Sequence, residues 1–245
     1  MLRHAKLALA ELRISHEELA ASQGRAAGRV AVSALSMAST VLVPQALSGL
    51  FLAQPGPAAI VADGTYEALL QQLRHSDIDL MVGPLRGALA PADVQEHFLF
   101  EDHLLAVMRP GHPSLARERP RTLRALRGGP WIGPLPGSPA QAAFKRVFAA
   151  AGLPLPDVIL QARSTAVLVA VLLASDAVAL LSPSQVRAEL AAGTLVSLPL
   201  RLQGTPRDIG VTLRRDGLPG PGALAFLQHL QAVTVDVSHK QNAKL

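Results

Sequence analysis

From residue 2 to residue 22 the apolar positions recur at helical spacing. Leu2, Leu9 and His16 stand seven apart, and Ala5, Leu12 and Leu19 form a second row of the same period. Two such rows make the narrow seam of a short coiled coil. Gly24 and Gly28 break the helix that carries them. A helix this short is marginal in water and needs a partner. The body of its own chain is one candidate; its polar flanks ahead of a glycine break suit pairing with a second copy.

Beyond the break, apolar runs alternate with helical spacing. GRVAVSAL (28–35) reads as a strand, Thr40 to Gln54 as a helix through Leu42, Ala46, Leu47, Leu50 and Phe51, and PAAIVA (57–62) as a second buried strand. A helix from Thr65 to about His75 and a strand DIDLMVG (77–83) follow. VQEHFLFEDHLLAVMRPGHP (94–113) is long enough to pair in one sheet and continue into another, and Pro110, Gly111 and Pro113 end it. A second unit of the same rhythm then predicts a helix near Leu123–Leu126, strand WIGP (131–134), helix Ser138–Ala151, strand VILQAR (158–163) and helix Ser164–Ser175. Strand AVALLS (177–182), helix Ser184–Ala192 and strand LVSLPL (195–200) complete it. DIGVTLR (208–214), a helix around Gly222–Ala232 and a frayed tail Lys240–Leu245 close the chain. Buried runs alternating with amphipathic helices indicate mostly parallel sheets, and no fixed-period repeat points to a solenoid.

Composition narrows this further. Hydrophobic residues make up 49% and aromatics 3%, so the cores rest on Leu, Val, Ile and Ala. The longest apolar run, Ala166–Ala174, is far below the roughly 20 residues that span a bilayer. Cysteine is absent, which removes disulfides, zinc–thiolate sites and cysteine nucleophiles and is compatible with a cytoplasmic location. The opening residues lack the apolar core of a secretory signal. The net charge is +5, but its densest run (Arg117, Arg119, Arg121, Arg124, Arg127) lacks interleaved aromatics and reads as a solvated face. His97, His103 and His112 match no compact ligand spacing, so neither a metal nor another cofactor is expected. No GxSxG elbow, phosphate loop or HExxH is found, and no reaction is proposed by the sequence.

Taken together, GRVAVSAL with the hydroxyl-rich SMAST, LVPQALSGLFLAQPG, DGTYEALLQQLRHSDIDLMVGPL, LLAVMRPGHPSLA and AVALLSPSQV resemble the effector-binding domain of LysR-type transcriptional regulators, from about Gly28 to Val233. The resemblance implies an α/β fold of two Rossmann-like lobes joined by crossover strands, like type 2 periplasmic binding proteins, with a linker helix ahead of them. It implies a linker or dimerisation helix over 1–24, a first lobe over 28–100 and 207–235, and a second lobe over 101–206. The family's winged helix-turn-helix head is missing, so contact with DNA is expected only through that absent head, and membrane contact is not expected. At ASDAVALL, Ser175 and Ala177 stand where the family usually places glycines.

In open α/β units, ligands sit beyond the carboxyl ends of strands, at helix N-termini with free N–H groups. The residues placed there are Ser36, Met37, Ser39, Thr40, Thr65, Gly83 and Pro84 in the first lobe, and Pro134, Leu135, Ser138, Ser164 and Thr165 in the second. Each hydroxyl is equally readable as a helix cap, and Met37 and Leu135 as ordinary packing. Arg86 is read as solvent-facing and Arg163 stays ambiguous. By resemblance the expected function is sensing a small organic or aromatic acid in a cleft between the lobes to control transcription, in a chain that self-associates as a dimer or tetramer. A solute-binding protein of a transport system with the same two-lobed plan is the alternative.

Overall fold

A computed structural model of the chain describes residues 2–23, 28–53, 58–116, 122–200 and 202–242. In chain order its elements begin with α1 (Leu2–Ser22), β1 (Val30–Ala34), α2 (Leu42–Ala53), β2 (Ala59–Ala62), α3 (Tyr66–Arg74), β3 (Leu80–Pro84), β4 (Val94–Asp102) and β5 (Leu105–Met108). They continue with β6 (Trp131–Gly133), α4 (Pro139–Ala150), β7 (Val158–Gln161), α5 (Thr165–Ala174), β8 (Val178–Leu181), α6 (Arg187–Ala192), β9 (Val196–Ser197), β10 (Arg207–Arg214) and α7 (Pro221–Asn242). Two units result: Met1–Phe100 with Asp208–Leu245, and Glu101–Arg207.

The first unit is built on a five-stranded sheet ordered β2-β1-β3-β10-β4. β1 pairs parallel with both β2 and β3, and β10 runs antiparallel to β3. Alternate residues of β1 enter different cores: Val30, Val32 and Ala34 pack with α2 and α7, and Ala31 packs with Tyr66, Leu69, Leu70 and Leu73 of α3. The period-2 pleat thus buries a strand on both faces, which is why its residues are apolar apart from Ser33. Gly210 of β10 lies against the carbonyl of His97 on β4 so closely that no Cβ fits between them.

The second unit repeats the plan with the order β7-β6-β8-β5-β9. β6 is parallel to β7 and β8, while β5 is antiparallel to β8 and β9. Val178 and Leu180 face a core with Trp131, Phe144 and Phe148; Ala179 and Leu181 face Leu168 and Leu172 of α5. Trp131 meets Phe148 edge-on at 5.2 Å between centroids, and its indole N–H donates to the Leu126 carbonyl at 3.2 Å.

Several sequence expectations shift. Residues 36–39 form a short 3₁₀ turn, so α2 begins at Leu42, not Thr40, and Gln54 lies outside the described residues. The Leu123–Leu126 segment is likewise a 3₁₀ helix. β2 is an edge strand, and Ile60 and Val61 are half-exposed, not buried. α6 starts at Arg187, not Ser184, because Ser182 and Gln185 side chains take the local backbone N–H groups and hold a turn. LVSLPL keeps only Val196–Ser197 as strand, since Pro199 has no N–H to continue the ladder. α7 runs ten residues past Ala232, to Asn242, so the expected tail is helical up to that point and 243–245 lie outside the described residues. At the glycine departure, the Ser175 hydroxyl donates to the Val171 carbonyl (2.6 Å) and accepts from Ala177 N–H (3.3 Å), closing the turn without a glycine.

α1 is two-faced. Ala10 and Ile14 are buried, and Lys6 and Arg13 reach Asp77 (2.7 Å) and Asp79 (3.1 Å) of the first unit. Asp79 also accepts from the Ala31 N–H of β1 at 2.7 Å, so one carboxylate registers the helix to the sheet. Ala5, Leu9, Leu12, His16 and Leu19, the seven-spaced rows, all face outward. The side chain of Leu2 and the whole of Gly24 lie outside the described residues.

Trp131 is the only tryptophan, so its fluorescence reports the second unit alone. Phe148→Ala is expected to lower that unit's stability by about 3–5 kcal/mol, the cost of a large buried aromatic and its cavity. Urea titration followed by tryptophan emission checks it; a midpoint like the parent's would contradict this packing.

Candidate functional site

Parallel pairing sends the carboxyl ends of β2, β1 and β3 to one edge of the first sheet, and those of β7, β6 and β8 to one edge of the second. The predicted residues occupy these exits. In the first unit, Ser36, Met37 and Ser39 form the turn after β1, and the Thr40 hydroxyl donates to the Met37 carbonyl at 3.0 Å. Met37 is buried in the core with Val30, Val32 and Leu42; the Ser36 side chain lies outside the described residues. Thr65 is exposed and caps α3, its Oγ1 accepting from Ala68 N–H at 3.2 Å. Gly83 and Pro84 end β3, with Gly83 pressed against Leu35.

In the second unit, Pro134 and Leu135 leave β6. Ser138 Oγ donates to the Leu135 carbonyl (2.7 Å) and accepts from Gln141 N–H (3.2 Å), while Gln141 Oε1 accepts from Gly137 N–H (3.0 Å). The pair is a reciprocal capping arrangement that fixes the start of α4. Ser164 caps α5 by accepting from Val167 N–H at 3.4 Å, and Thr165 is the first helical residue. Arg163 is exposed. Every described cap hydroxyl therefore has a structural task, and each still stands where free helical N–H groups point outward. The two sets are gathered separately, one on each unit.

Sequence reasoning missed the exit of β8. Ser182 and Ser184 are buried there, and Gln185 completes the turn. Ser182 donates to Asp102 at 2.8 Å, and Asp102, fully buried, is paired with Arg207. The same rule of hydroxyls after a parallel strand would have found Ser182, but nothing in the sequence announces that Asp102 and Arg207 meet across 105 positions. Among the described residues, no cluster of His, Cys, Asp or Glu has a metal-holding arrangement. His112 is committed at both ring nitrogens, Nδ1 accepting from Ser114 N–H and Nε2 facing the Asp176 carbonyl, each at 3.0 Å.

Arg86, expected in solvent, instead lies over the Tyr66 ring at 4.0 Å from its centre. The turn beneath it is held by Glu96, whose carboxylate accepts from the Arg86 and Gly87 N–H groups, each at 2.9 Å. Tyr66 Oη and Arg86 Nε are buried without hydrogen-bond partners. Burial pushes the Tyr66 phenol above its ordinary value, with Arg86 pulling partly the other way. A phenol raised on folding contributes stability that is present below its unfolded pKa of about 10 and is lost as pH rises through the folded value. Tyr66 is the sole tyrosine, so tyrosinate absorbance should rise at a higher pH in the folded chain than in urea; coincident curves would refute its burial.

A family model described as the LysR substrate binding domain matches residues 23–234. The chain is 32% identical over 229 residues to the HTH-type transcriptional regulator GalR of Pseudomonas putida, covering 94% of this chain and 57% of that protein. It is 30% identical over 218 residues to the HTH-type transcriptional regulator PcaQ of Agrobacterium fabrum, covering 89% and 70%. The chain thus spans little more than half the length of the GalR relative. Among solved structures, the CcmR regulatory domain of Synechocystis PCC6803 in complex with 2-PG has a TM-score of 0.71 at 20% identity, covering 84% of this chain and 97% of that one. The effector binding domain of QuiR in complex with shikimate has the same TM-score at 14% identity, covering 85% and 98%. Two sheets with exits lined by helix caps, and a family match over most of its length, make this chain a member of the LysR substrate-binding domain family.

Proposed function

We propose that the chain is the ligand-sensing part of a cytoplasmic transcription regulator and that its effector is a small organic acid, held at the strand exits. The observation that carries this reading is the set of helix N-termini at those exits. α3, α4 and α5 each open on a capping hydroxyl (Thr65, Ser138, Ser164), and each presents orphan N–H groups that suit a carboxylate without a paired cation. Shikimate, the partner of the QuiR domain, is a carboxylic acid and so belongs to the class. The relatives with known roles are regulators, which favours sensing over solute transport in a chain of this fold. Neither residue chemistry nor motif assigns it a reaction, and among the described residues no helix is long and apolar enough to cross a membrane.

Binding to the folded state raises its stability by about 2.7 kcal/mol at a hundredfold excess over Kd, or roughly 5–10 °C in Tm for a chain of this size. A thermal-shift panel of small mono- and dicarboxylates, shikimate included, is expected to contain such an acid. Thr65→Val or Ser138→Ala should reduce the shift while lowering basal stability by only about 1 kcal/mol. A panel in which amides and alcohols stabilise as well as the acids, or in which nothing does, overturns the reading.

We further propose that the outward row of α1 pairs with α1 of a second copy. Leu9, Leu12 and Leu19 are each more than half exposed, although the opposite face of the helix is seated on the first unit. Leu12→Glu should shift the oligomer toward smaller species in sedimentation, leaving thermal unfolding of the two units unchanged. An unaltered mass would remove α1 from the interface.

A further inference from the structure

A line of hydrogen bonds, passing once through the Ser182 backbone N–H, joins the start of α5 to both places where the chain passes between its units. Gln185 Nε2 donates to Thr165 Oγ1 at 3.4 Å, and Gln185 Oε1 accepts from Ser182 N–H at 3.2 Å. The Ser182 hydroxyl donates to Asp102 Oδ1 at 2.8 Å, and the other Asp102 oxygen is held by Arg207. Asp102 is the last residue of β4 and Arg207 the first of β10; the unit boundaries fall between residues 100 and 101 and between 207 and 208.

We propose that Thr165, Gln185, Ser182, Asp102 and Arg207 form a positioning relay, in which the hydrogen-bond state of the Thr165 hydroxyl sets the geometry of the two strand passages. The inference rests on reading Thr165 as a contact of the acid, and it names how that contact is communicated. Three features support it. The inner half of the line is dry: Asp102 and Ser182 are fully buried, and the Arg207 side chain is 9% exposed, while Gln185 and Thr165 are half-buried. In that setting each polar group must keep a partner, so a change at one link is passed on and not absorbed by water. The ion pair at its end fastens two segments far apart in sequence, and separating it would strand a buried charge. At the outer end, Thr165 already accepts from Gln185, which leaves its own proton to give. An acceptor such as a carboxylate oxygen is what that proton fits.

The Gln185–Thr165 bond is the longest in the line, so it is the link a ligand re-sets most easily. Arg207 Nε, buried and without an acceptor, leaves the opposite end a donor in reserve.

Hydrogen–deuterium exchange on the intact chain, with no ligand, tests this. Thr165→Val and Gln185→Met keep side-chain volume but cut the line. Each is expected to speed exchange in the segments 101–104 and 205–209 by about two- to tenfold, the range one ordinary hydrogen bond commands. Thr165→Ser, which restores the hydroxyl, should return the parent rates. Thr194→Ala, which removes the Thr194 bond to the Glu189 carbonyl in the same unit, should leave both passages unchanged. Changes confined to residues 164–168 and 182–186, or a serine that fails to rescue, overturn the relay. Because no ligand enters, failure here leaves the organic-acid reading standing, and an acid panel without hits leaves the relay standing.

Discussion

Parallel hydrogen bonding of a central strand to two neighbours is the constraint on which the rest of this structure depends. β1 with β2 and β3, and β6 with β7 and β8, run in one direction. Their carboxyl ends must therefore open on a common edge, and each return to the opposite edge needs a crossover. A helix that starts just after a strand then has its unpaired N–H groups where the strands end. That common edge is where the acid contacts are proposed.

The cost of the plan is central strands buried on both faces, with little freedom in composition. β1, β3 and β8 contribute alternate residues to separate cores, so a polar substitution on either face would be desolvated without a partner. Apart from Ser33 of β1, polarity in these strands is displaced to the exits. There the hydroxyls of Thr65, Ser138 and Ser164 satisfy helix termini, and Ser182 and Arg207 each hold one oxygen of the buried Asp102 carboxylate. A capping hydroxyl and a ligand contact are the same physical solution to one problem, namely an N–H group with no carbonyl above it. For that reason cap and contact were alternative readings of the same residues in the sequence, and both remain compatible in the fold.

α1 illustrates how one helix satisfies two demands. Ala10 and Ile14, with Lys6 and Arg13, seat it on the first unit through Asp77 and Asp79. Burial lowers the Arg13 pKa, but the hydrogen bonds and charges of Glu17 and Asp79 outweigh it and raise it overall, so the guanidinium stays charged beside its partners. Leu9, Leu12 and Leu19 on the other face are left exposed, and these are the positions proposed to meet α1 of a second copy.

The sequence alone determined the alternation of strands and helices, the extent of α1 and the caps of α3, α4 and α5, because each of these is written in local periodicity or in side chains that bond within a few residues; the family came from the likeness of its segments to known members. It could not determine that β2 lies at an edge with Ile60 and Val61 half-exposed, since an apolar run reads alike in the middle and at the margin of a sheet. Nor could it place Arg86 over Tyr66 or bring Asp102 to Arg207, because these contacts exist only once strands distant along the chain lie side by side. Local bonding fixes what each segment is; the order in which strands pair decides which polar groups are left facing one another, and that order is a property of the packed whole.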